Sequence, residues 1–129
     1  MAKERILVVD DNPANATLVS FLLQKSGYEV RTAADAAQAL VAVDEFEPRL
    51  ILMDVQLPGM DGLALTRKLK ADRKTEGIIV VALTAYAMKG DEERARAAGC
   101  DGYVSKPINT RTLPALVAEL LGRAPSSPP

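Results

Sequence analysis

The sequence has 129 residues, 48% apolar and 26% charged, with 16 Lys+Arg against 17 Asp+Glu, the profile of one ordinary globular domain that can bury a core without staples. It contains no His and a single Cys, which excludes Ser-His-Asp and Cys-His catalysis, phosphorylation on His, an imidazole or thiolate metal cage and an internal disulfide. A net charge of −1 argues against a nucleic-acid surface, because phosphate binding needs a basic excess.

Taken along the chain, the first element is the apolar run Ile6–Val9. It is far too short for a signal peptide or a spanning segment, so no membrane insertion and a cytoplasmic location are expected. Two further runs, Leu50–Met53 and Ile78–Leu83, are equally continuous rather than alternating. That is the pattern of strands covered on both faces, as in a parallel sheet. Tyr28–Thr32 and Gly102–Ser105 are weaker strand candidates.

Amphipathic stretches lie between the runs. A helix is predicted over about 14–26, with Leu18, Phe21, Leu22 and Lys25 at helical spacing and Gly27 to stop it. A second, over about 35–46, starts at the N-cap candidate Asp35, carries Ala36, Ala39, Leu40 and Val43, and ends before Pro48. The third, over about 62–72, carries Leu63, Thr66 and Leu69. A fourth, over about 90–98, is acidic at its start, basic later and closed by Gly99, an order that suits the helix dipole. The last carries Leu113, Leu116, Val117, Leu120 and Leu121 and stops at Gly122. Pro114 is comfortable only in a first turn, which places the N-cap at Thr110 or Thr112. The end of the chain, 123–129, is rich in Pro and Ser and reads as a flexible tail, leaving residues 1–122 as the domain.

Five strands alternating with five helices imply a doubly wound α/β fold with a parallel sheet and helices on both faces. In such sheets ligands sit beyond the carboxyl ends of the strands. The first strand runs into Asp10 and Asp11, the third into Asp54, the fourth into Thr84, and the fifth into Lys106. Each has a plain role when taken alone. Asp10 and Asp11 suit a helix N-cap, Asp54 suits the turn Leu57–Gly59, and Lys106 suits a solvated loop. Together they place three carboxylates, a hydroxyl and an ammonium on one rim. Clustered anions repel, and a hard divalent cation with oxygen ligands relieves that repulsion. Carboxylate, cation, hydroxyl and Lys make a site for a phosphoryl group.

These residues resemble a known family. Val8–Asn12, Leu50–Gly62, Ala82–Ala85 and Ser105–Pro107 are similar to the signature blocks of response-regulator receiver domains, in order and spacing, over about residues 5–122. The stretch Leu83–Arg94, with Gly99–Cys100 and Ser105–Ile108, resembles single-domain regulators of the DivK cell-division type. Receivers fused to hybrid histidine kinases share much of it, so a receiver module of that kind is the alternative.

The resemblance implies a flavodoxin-like (βα)5 fold with strand order 2-1-3-4-5, two helices on one face and three on the other. It implies a phosphorelay switch rather than an enzyme. Asp54 is then the phosphoacceptor, taking its phosphoryl group from a sensor histidine kinase or a histidine phosphotransferase. Asp11 and Asp54 ligate Mg²⁺ (or Mn²⁺) through side chains and Gln56 through its backbone carbonyl, while Asp10 acts mainly through water. Lys106 pairs with the phosphoryl oxygens. Thr84 moves to hydrogen-bond them and Tyr103 swings inward, altering a face made by the fourth helix, fifth strand and fifth helix that binds a downstream protein. Gln56 and Tyr86 tune hydrolysis. The chain is expected to be a monomer or weak dimer.

Two rivals fit less well. A haloacid-dehalogenase-type phosphohydrolase resembles this site, yet such enzymes carry a second Asp two residues after the nucleophile, where Gln56 stands here. A flavodoxin-like cofactor binder shares the topology, but the loop Asp11–Ala16 lacks the glycines or hydroxyls that cradle phosphate, and no P-loop or G-x-G-x-x-G occurs. Cys100 is expected to be a small buried core residue.

Overall fold

The three continuous apolar runs become the centre of a sheet that is covered on both sides. A computed structural model describes residues 4–56, 61–84, 91–105 and 109–122. In chain order the elements are β1 (Arg5–Val9), α1 (Pro13–Lys25), β2 (Glu29–Ala33), α2 (Ala36–Phe46), β3 (Leu50–Asp54), α3 (Gly62–Ala71), β4 (Ile79–Thr84), α4 (Asp91–Ala98), β5 (Gly102–Ser105) and α5 (Thr112–Gly122). The strands are all parallel, in the order β2-β1-β3-β4-β5. This is the architecture implied by the resemblance.

Strand side chains alternate between faces, so a strand buried on both sides feeds two cores. Leu7 and Val9 of β1 join α2, α3 and α4 in one cluster with Ile51, Met53 and Val80. Ile6 and Val8 join α1 and α5 in the other, with Leu52, Val81 and Leu83. Every residue of β3 and β4 is buried. The edge strands β2 and β5 are only partly covered, which explains why their sequences are shorter on apolar residues.

Local chemistry sets the helix ends. Asp35 caps α2 as expected, accepting from the Gln38 amide at 2.8 Å. Glu47 then closes α2 in a left-handed conformation (φ 52°), just before Pro48. Gly27 and Gly99 take positive φ (100° and 106°) after α1 and α4, a backbone region that costs glycine least.

Two expectations change. The row Leu18, Phe21, Leu22 and Lys25 is not the sheet-facing side of α1; Ala16, Val19 and Leu23 are buried instead. Phe21 is 60% exposed and Leu18 39%. Both rows satisfy helical spacing, and the phase is set by Asn12, which caps the helix one residue ahead of Pro13. At the other end Asn109, rather than Thr110 or Thr112, caps the turn leading into α5. Its side chain accepts from the Arg111 and Thr112 amides at 2.9 and 3.1 Å. Pro114 lies in the first turn of α5, where its missing N–H is least needed. The expected turn Leu57–Gly59 and tail 123–129 lie outside the described residues.

Candidate functional site

Parallel pairing brings the carboxyl ends of the strands to one rim. Val9 pairs with Met53, Asp54 with Leu83, and Thr84 with Ser105. Asp10 and Asp11 follow directly after β1, and the Asp10 amide still donates to Ala33 on β2 at 3.0 Å. Carboxylate oxygens of Asp10, Asp11 and Asp54 all lie within 4.8 Å of one another. Asp10 and Asp54 are buried while Asp11 is exposed. Thr84 ends β4, buried beside this cluster's strand. Lys106 and Tyr86 lie outside the described residues.

The plain N-cap role expected as an alternative for Asp10 and Asp11 falls to Asn12 instead. Asp10 takes the Asn12 amide on Oδ1 at 2.9 Å and the Asn15 side-chain amide on Oδ2 at 3.1 Å. Asp54 Oδ1 accepts from the Gln56 amide at 3.0 Å, while the turn Leu57–Gly59 expected after it lies outside the described residues. The same bond fixes the carboxylate's direction and holds Gln56 close behind it.

Three carboxylates at this separation, two of them removed from water, destabilise one another unless a positive charge joins them. The donors are all hard oxygens, and the chain has no His, so the set fits a hard divalent cation and not a soft one. The one thiol is elsewhere: Cys100 is buried between α4 and β5. Burial pushes its pKa up, its side-chain hydrogen bond with Thr66 pulling the other way. A thiol kept protonated is a packing group, as expected.

Two contributors escaped the sequence. Gly62 opens α3 with its backbone against β3: a Cβ there would stand 2.1 Å from the Asp54 carbonyl oxygen. Its amide donates to Val55 O at 2.9 Å, and the Val55 amide donates to Leu83 O at 2.9 Å. The end of β3 is thus clamped between β4 and the first turn of α3. A glycine just inside a helix start is a poor helix former, and that was the available signal. Asn15 gave none, since an amide on the first turn of a helix reads as ordinary surface.

Tyr103 on β5 is half-buried, packed on the core cluster of α2, α3 and α4. It also borders a cavity of about 380 Å³ between β5 and α5, with Ser105, Asn109 and Leu116. A second cleft, of about 530 Å³, starts at Asp10 and Asp11 and runs along α1 past the exposed Phe21.

Comparison with known proteins agrees with this geometry. Residues 6–118 match the response regulator receiver domain family. The chain is 44% identical, over 92% of its length and 97% of the relative's, to the polar-differentiation response regulator DivK of Brucella ovis. Its fold is similar to a CheY-like receiver domain protein from Methanospirillum hungatei, with TM-score 0.88, 33% identity and coverage of 95% and 97% of the two chains. It is also similar to the signal receiver domain of a histidine kinase from Syntrophus aciditrophicus, with TM-score 0.87, 30% identity and coverage of 97% and 95%. This chain belongs to the response regulator receiver domain family, the signalling modules of two-component systems. Among the described residues no helix is long and apolar enough to cross a membrane.

Proposed function

We propose that this chain is a phosphorylation-dependent switch that accepts a phosphoryl group on Asp54 from a phosphohistidine of a sensor histidine kinase or histidine phosphotransferase. The observation that carries this reading is the meeting of Asp10, Asp11 and Asp54 at the rim, within 4.8 Å of one another. An Asp54 carboxylate oxygen attacks phosphorus, the phosphorus–nitrogen bond of the donor breaks, and the imidazole leaves with the electron pair. Asp11 and Asp54 would hold Mg²⁺ (or Mn²⁺) with the Gln56 carbonyl, and Asp10 would act through water. Bound there, the cation neutralises charge on the transferring oxygens. Lys106 pairs with those oxygens in the product.

The product adds roughly −1.5 to −2 charge and three acceptor oxygens at the end of β3. Thr84 ends the neighbouring strand β4, one residue past the Leu83 that pairs with Asp54, and is suited to move toward that charge. Tyr103, two residues before Thr84's partner Ser105 on β5, then turns inward. The outcome is a population shift on the α4–β5–α5 face, where the cavity beside Tyr103 offers a downstream protein a place to bind. Gln56 and Tyr86 set how long the phosphoryl group lasts. The likeness to a histidine-kinase receiver supports a second reading with the same chemistry, in which this sequence is the receiver module of a hybrid kinase.

The test is intact mass after incubation with Mg²⁺ and a small acyl phosphate. One labile phosphoryl adduct is expected in the wild type and none in Asp54→Ala. An adduct that survives in Asp54→Ala sinks the assignment, as does steady turnover of phosphate esters by the unmodified chain.

A further inference from the structure

Asp10 stands at the same rim as Asp11 and Asp54. Each of its oxygens receives an amide hydrogen, Oδ1 from the backbone of Asn12 and Oδ2 from the side chain of Asn15. Asn15 is well placed to do this. It is the third residue of α1, and the Asn12 cap ties its own backbone amide at 3.2 Å. The helix turn therefore carries the Asn15 side chain back over the residue that precedes the cap. Asp10 is 3% exposed, so water contributes little to orienting it.

Cations differ in what they ask of such a site. Mg²⁺ needs near-ideal octahedral geometry and keeps several waters, whereas Ca²⁺ takes six to eight oxygens in flexible arrangements. A third carboxylate free to rotate toward the ion favours the larger one. A carboxylate held back by amides accepts from the ion's waters and favours the smaller one. Outer partners of this kind typically alter metal affinity by about 10–100-fold when removed.

We infer that Asn15 is a positioning residue that sets cation preference, holding Asp10 as an acceptor for metal-bound water so that the site selects Mg²⁺ over Ca²⁺. This rests on the reading of the rim as a cation site. Removing the side-chain amide while leaving all three carboxylates in place weakens Mg²⁺ and spares or strengthens Ca²⁺.

The test is calorimetric titration of the unphosphorylated chain with Mg²⁺ and, separately, Ca²⁺, for the wild type, Asn15→Ala and Asn15→Leu. Circular dichroism melts establish that each variant is folded, and the bulkier Leu provides the measurement if Ala does not fold. The ratio of Mg²⁺ to Ca²⁺ affinity is expected to fall about tenfold in the variants. Equal weakening of both ions, or no change in the ratio, overturns the inference. A wild-type chain that binds neither ion overturns the reading of the rim itself, and the role of Asn15 with it.

Discussion

The two ends of this sheet are built on opposite electrostatic plans. At the carboxyl rim, Asp10, Asp11 and Asp54 gather like charges from β1 and β3. At the amino end, charges meet in opposite pairs. Lys70 Nζ donates to Asp101 at 2.9 Å and to the Ile78 carbonyl at 2.7 Å. The same Asp101 oxygen accepts from the Val80 amide at 2.9 Å. Arg49 bonds Glu4 at 2.7 Å and reaches the carbonyl of Leu121 on α5 at 3.4 Å. One end ties α3, β4 and β5 together, and likewise β1, β3 and α5. The other end gathers carboxylates that can hold a cation. What this teaches is a division of labour along single strands: opposite charges tie elements together at one end, while like charges collect at the end where a ligand can join them.

That contrast can be tested from both sides. The largest effect is expected from Gly62→Ala. Its Cβ has no room beside the Asp54 carbonyl, so the end of β3 must shift. Phosphoryl uptake should fall about tenfold to a hundredfold, the scale on which a misplaced reacting group acts, with overpacking costing about 1–3 kcal/mol of stability. Adduct formation over time and a denaturant melt measure the two; unchanged uptake would show that the α3 approach does not position Asp54.

The base of the sheet should respond in the opposite sense. Asp101→Ala removes the partner of Lys70 and of the Val80 amide, and with Asp101 41% exposed the loss is screened to about 1 kcal/mol. Urea unfolding reads it. Uptake at Asp54 should be unchanged, and a large loss of uptake would break the division between the two ends.

The smallest effect is expected from Cys100, the residue just before Asp101. Its folded pKa is raised above the ordinary 9.0 by burial. Below that ordinary value both folded and unfolded chains hold the thiol proton, and stability is at its full level. As pH rises past it the unfolded chain ionises first, so stability falls until the folded thiol also ionises. Melts between pH 8 and 11 should show a decline that is shallower in Cys100→Ala; Tyr28, raised in the same direction by burial and by Glu4, adds a second decline at higher pH.

How much of this was legible beforehand depended on whether a residue's role lay in its own strand or in another's. Ile6–Val9, Leu50–Met53 and Ile78–Leu83 announced central strands, because burial on both faces leaves no polar alternation. From there Asp10, Asp11, Asp54 and Thr84 followed as strand ends, and the structure brings the three carboxylates together. Two apolar rows of α1 share the helical period, so spacing alone does not say which of them faces the sheet. Pro114 places the start of α5 only to within a turn, which does not separate Asn109 from Thr110 or Thr112 as the cap. Gly62 and Asn15 act on Asp54 and Asp10 across turns, and no periodicity within one element encodes a contact between two.

The sheet also separates the buried apolar residues into two clusters with no member in common. Side chains on opposite faces of a strand point away from each other, so substitutions in one cluster should be nearly additive with those in the other. Natural variation can therefore accumulate beneath α1 and α5 without calling for compensation beneath α2, α3 and α4. The scaffold is thus one whose two sides can drift independently.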